Sequence, residues 1–80
     1  GEIMNQSFKV NRVKEITSLS INQIAEKIGN TRQNVYYHLK DDKGCPMRMA
    51  VQFEQVTGIS HQFFLYPYSV GSSFLPKKDA

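Results

Sequence analysis

From residue 8 onward, apolar side chains recur at spacings of three and four, in short runs separated by polar or glycine-containing breaks. That spacing places them on one face of a helix. Asn5 and Ser7 supply capping oxygens before a first helix over 8–17. Val13 and Ile16 lie on its inward face, Leu19 follows, and Phe8 or Val10 covers the end. Ser20 caps a second helix over 21–28, in which Ile24, Ala25 and Ile28 form the apolar repeat. A third helix runs from 32 to about 40 and buries Val35 and Leu39; Asp41 and Asp42 follow its C-terminus, where negative charge opposes the helix dipole, and Gly44 completes the stop. Pro46 suits the first turn of a fourth helix over 46–57, with Met47, Ala50, Phe53 and Val56 on its apolar side, Met49 beside them and Gly58 ending it. Ser60 caps a short fifth helix, about 61–65, which Pro67 stops. Residues 69–80 contain Gly-Ser-Ser and Lys-Lys and read as an irregular tail. No segment alternates convincingly with period two. The pattern predicts an all-α bundle of four to five short helices in one domain over 4–68, with residues 1–3 read as vector-derived.

The most constrained stretch is 20–39. Ala25 is small where two helices must cross closely, and Gly29, four residues later, can take the positive φ that ends one helix and opens a tight turn. Val35, six residues further, returns an apolar side chain to the shared core. Between them Thr31 is a good N-cap, and Arg32, Gln33 and Asn34 occupy the first turn of the next helix. These constraints in register predict a helix-turn-helix, whose second helix enters the major groove by its first turn. Arg pairs bidentately with guanine and Gln with adenine, so Arg32 and Gln33 lead the candidates for base contact, with Asn34 beside them. Tyr37, four after Gln33, faces the same side. Tyr36 is turned by about 100° and either flanks the phosphates or packs on the first helix. Ser20, Asn22 and Gln23 begin the second helix, where a backbone phosphate can sit, and capping accounts for Ser20 equally well. Lys40 extends the basic side.

Composition changes this picture little. Eighty residues allow a thin core, so self-association is a natural source of stability. A net charge of +3 and a pI near 9.2 favour a polyanionic partner only mildly. Placement matters more: Lys9, Arg12, Lys40, Lys43 and Arg48 are near Arg32 in sequence, and no acid falls between Lys27 and Lys40. The lone Cys45 cannot form an intramolecular disulfide and no Cys/His spacing suits zinc, so a reducing cytoplasmic location without metal or cofactor is expected. No run approaches a membrane span, and no signal peptide is expected. Without a nucleophile elbow, phosphate loop or acid pair, neither catalysis nor a small-molecule ligand is expected. His38 reads as a half-buried core residue and His61 as a surface residue with no partner in sequence. Phe63, Phe64, Tyr66 and Tyr68 either fold onto the core or form a homodimer interface. Lys77 and Lys78 add weak attraction for phosphate.

With helical order and turn in view, the chain resembles the phage Cro-type helix-turn-helix repressors and their prophage relatives over roughly 13–68. The resemblance is carried by Ile24-Ala25, Gly29, Thr31-Arg32-Gln33-Asn34-Val35 and the segment Phe53-Glu54-Gln55-Val56-Thr57-Gly58-Ile59. Asn30 and His38 depart from it, standing where that group carries Val or Ile and Trp or Leu. It implies a lambda-repressor-like domain, five-helical or in some members mixed α/β. Such a domain dimerises on double-stranded operator DNA and represses transcription in a bacterial or phage-infected cell. A second reading is an antitoxin-like interaction module that neutralises a partner through the C-terminal apolar segment. A co-purifying toxin would separate the two.

Overall fold

The first helix shows how this chain holds itself together. A helix start leaves four backbone N–H groups without intrahelical partners. In α1 (Phe8–Thr17) those of the first three helical residues are satisfied, two of them by a residue more than thirty positions away. The Asp41 carboxylate accepts from Phe8 N and Lys9 N, both at 3.0 Å. Ser7 Oγ accepts from Val10 N at 3.1 Å, and Ser7 O from Asn11 N at 3.0 Å. Ser7 Oγ also donates to Leu39 O at 2.9 Å. Asp41 therefore serves the start of α1; the expected role of ending the third helix by dipole repulsion is not its main contact.

The computed structural model describes residues 7–76. Among them the chain is all-helical, with no strand. After α1 come α2 (Ile21–Ile28), α3 (Arg32–His38), α4 (Met47–Thr57), α5 (His61–Leu65) and α6 (Tyr68–Gly71), then a 3₁₀ turn, Ser72–Phe74. Expectations for Asn5, Lys77, Lys78 and residues 1–3 lie outside the described residues. Among the described residues no helix is long and apolar enough to cross a membrane.

Helix α4 is central, packing on α2 and α5, while α2 also packs on α3. Its Phe53 meets Phe64 at a centroid distance of 5.0 Å, and Phe64 meets Phe63 edge-on at 4.9 Å. All three rings are fully buried. Each contributes on the order of 1.5–3 kcal/mol by leaving water. Around them close Val13, Ile24, Val35, Leu39, Ala50 and Ile59. Gly44 lies so close to the Leu65 carbonyl that a Cβ would strike it, and this approach lets Cys45 N donate to Phe64 O at 3.0 Å.

Three expectations about the core are corrected. Of Phe8 and Val10 it is Val10 that packs on the core, while Phe8 and Ile16 are exposed, at 60% and 42%. The inward line of α1 runs through Lys9, Val13 and half-buried Thr17 at four-residue steps, which rotates Ile16 to the rim. Met47 is 53% exposed at the open end of α4, while Met49 and Ala50 turn inward. Residues 69–74, expected to be irregular, are helical because Pro67 begins a new turn as it ends α5. Its carbonyl accepts from Val70 N and Gly71 N, and Gly71 fits against the Phe63 carbonyl.

Candidate nucleic-acid interface

The unit formed by α2, the turn and α3 is built from interlocking caps. Ser20 Oγ accepts from Gln23 N at 3.2 Å while Gln23 Oε1 accepts from Ser20 N at 2.8 Å, a reciprocal capping box. Both side chains are thereby committed to holding α2, and Asn22 beside them is exposed. Gly29 ends α2 at φ +71°, with Asn30 N reaching back to Ala25 O at 2.9 Å. A Cβ at Gly29 would meet open space, so the backbone angle, not crowding, favours glycine there.

Asn30, the departure from an apolar turn residue, is a polar brace. Its Oδ1 accepts from Thr31 N at 2.8 Å and from Asn34 Nδ2 at 3.1 Å, while Thr31 Oγ1 caps α3 by accepting from Asn34 N at 3.1 Å. The Asn34 side chain is exposed but tied to the turn. Arg32 and Gln33 are exposed, and among the described residues neither makes a hydrogen bond or ion pair, so their donors face solvent at the start of α3. Val35, the next residue, is fully buried, which fixes the rotation of the helix.

One turn further on, the two tyrosines separate. Tyr36 is half-buried and packs against the core. Tyr37 is 49% exposed, with the Lys43 ammonium 3.8 Å and the Lys40 ammonium 5.8 Å from its ring centroid. Lys43 holds the phenol pKa of Tyr37 below its ordinary value, through a hydrogen bond and its charge. His38 stands edge-on to Tyr37 at 5.2 Å. Its Nδ1 is buried with no hydrogen-bond partner among the described residues, and burial lowers the imidazole pKa, with help from Lys43. Arg48 and Asn30 border one open groove between the end of α2 and the start of α4, so the fold brings Arg48 beside the turn.

Two cations near Arg32 in sequence are not on this face. Lys9 is fully buried, its Nζ donating to Lys43 O at 2.6 Å. Arg12 pairs with Glu15 and reaches the Tyr68 hydroxyl. Sequence reasoning gave Lys43 no specific role. Its signal was there, three residues after Lys40, but which way a post-helix turn points is a tertiary fact.

The aromatic segment also needs correction. Phe63 and Phe64 are fully buried, so neither can form the surface expected of a homodimer interface. Tyr68 is half-buried and stacks on Phe8 at 5.4 Å. Tyr66 remains exposed, stacked on Phe74 at 6.0 Å. His61, expected to lack a partner, has one in Glu54: its Nδ1 is 2.7 Å from Glu54 Oε1, which also accepts from His61 N at 2.9 Å. Burial pushes the Cys45 thiol up to about 11, so the thiolate form is scarce at neutral pH. Among the described residues no cluster of His, Cys, Asp or Glu could hold a metal ion. No protein-family model, curated protein or solved structure matches this chain.

Proposed function

We propose that this chain is a sequence-specific DNA-binding regulator of the Cro-type repressor kind, in which α2 and α3 form a helix-turn-helix and α3 enters the major groove. The observation that carries the reading is the exposed, acid-free first turn of α3. Arg32 and Gln33 project from it without internal partners, next to the Tyr37–Lys40–Lys43 face. Lysines beside the reading helix supply sequence-independent attraction; Arg32 and Gln33 supply discrimination. A single copy reads too few base pairs to select one genomic site, so two copies on a two-fold operator belong to the proposal. Exposed Tyr66, Phe74 and Val70 are apolar surface open to such pairing.

Selection of binders from a random pool of duplexes tests the reading. The wild-type chain should enrich a palindromic site with half-sites about one helical turn apart. Arg32→Ala and Gln33→Ala should each lose about 1–3 kcal/mol of discrimination at one base position while keeping their helical content. A pool with no enriched site, or two folded variants with wild-type preference, would refute it.

A further inference from the structure

The turn after α3 is pinned from several directions. Lys43 N donates to Lys40 O at 3.3 Å and closes the turn. Asp41 O accepts from Tyr68 N at 2.7 Å, while the Asp41 carboxylate is turned onto the start of α1. Lys9 Nζ donates to Lys43 O at 2.6 Å. Lys9 is fully buried and, with Ser7, is one of the two polar side chains buried among the described residues. A buried ammonium is costly, and here it replaces an apolar contact by a hydrogen bond to one particular carbonyl.

On the outer side of the same turn, the ammonium groups of Lys40 and Lys43 both stand over the exposed ring of Tyr37. Among the described residues neither lysine is paired with a carboxylate. Two cations beside one ring repel each other, and the ring face offsets that only in part. A bound anion offsets that repulsion, and phosphate oxygens accept from ammonium groups and from a phenol hydroxyl alike.

We propose that Lys40, Lys43 and Tyr37 form a preorganised phosphate-binding site, and that buried Lys9 is the positioning residue that holds Lys43 in it. The inference rests on the DNA-binding reading for the source of the phosphate, a backbone phosphodiester of the duplex. The chemistry itself is shared with free inorganic phosphate, and the test separates the two.

The full chain is titrated with a fluorescein-labelled mixed-sequence duplex over a range of salt concentrations, as wild type and as Lys40→Gln, Lys43→Gln, Lys9→Met and Lys9→Arg. Tyr37 ring resonances are followed against pH and against inorganic phosphate. Lys40→Gln and Lys43→Gln should each reduce the slope of log K against log salt by about one, equally on every duplex. Lys9→Met, with helical content intact, should lose part of that slope and raise the Tyr37 titration midpoint, as Lys43→Gln does; Lys9→Arg, which keeps charge and donor, should restore both. A purely structural Lys9 would lower the melting temperature and move neither readout, which would overturn its positioning role. If Lys9→Met does not fold, the two surface variants decide the site. Unchanged slopes in both overturn it, while wild-type duplex binding leaves the DNA reading standing. If the wild type binds no duplex, the DNA reading fails instead. Phosphate-induced shifts of Tyr37 that vanish in Lys43→Gln then keep the site for free phosphate, and their absence overturns it.

Discussion

Replacing Asp41 by Ala should destabilise the protein, although simple helix electrostatics gives the opposite sign. Asp41 lies just beyond the C-terminal end of α3, where a negative charge is unfavourable by about 0.3–1 kcal/mol. If that repulsion dominated, Asp41→Ala would stabilise. The carboxylate instead accepts two backbone N–H bonds of 3.0 Å at the N-terminus of α1, one of them part-buried. Losing an N-terminal cap costs roughly 0.5–2 kcal/mol, and charge-assisted bonds stand at the upper end of the usual range. The favourable dipole at the start of α1 adds to them. A net loss of about 1–3 kcal/mol follows, corresponding to a fall in melting temperature of roughly 4–24 °C for a domain of this size. Asp41→Asn, which keeps one acceptor, should fall between the two. Asp42→Ala is the control, because that carboxylate is exposed and bonds to nothing among the described residues; its effect should stay within about 0.5 kcal/mol. Thermal and urea unfolding followed by far-ultraviolet circular dichroism would measure all three. An Asp41→Ala variant as stable as Asp42→Ala, or more stable than the wild type, would refute the argument.

Two further outcomes follow from the same contacts. Ala25→Leu should overpack the contact between α2 and its neighbours, destabilising by about 1–3 kcal/mol, since Ala25 is almost fully buried; an unchanged urea midpoint would mean that the helices can part there. Hydrogen bonds from the His61 ring and backbone hold the Glu54 carboxyl below its ordinary pKa. On acidification the unfolded chain therefore takes up that proton first, so the contribution is present above the usual glutamate range and fades as pH falls through the depressed value. Glu54→Gln should flatten the acid limb of stability against pH, and a limb of unchanged steepness would contradict the pairing.

Local chemistry was legible in the sequence. Ser7, Ser20, Thr31 and Ser60 each accept a backbone N–H at a helix start, and Gly29 and Gly58 end helices at positive φ, so the boundaries of α1, α2 and α5 could be read without knowing what they pack against. The exposure of Arg32 and Gln33 was likewise implied, because Val35 must turn inward and fixes the rotation of its helix. Contacts between distant segments were not legible. A lysine in the inward stripe of α1 reads as solvated until the Lys43 carbonyl meets it. Asp41 looks like a helix terminator until α1 arrives at its carboxylate. Phe63 and Phe64 could have been surface or core, and only the meeting of α4 with α5 buries them. Capping and periodicity act within a few residues and leave their mark in the local sequence. Burial of a charge, reach across a turn and choice of a covered face depend on residues tens of positions away, so the tertiary structure decides them.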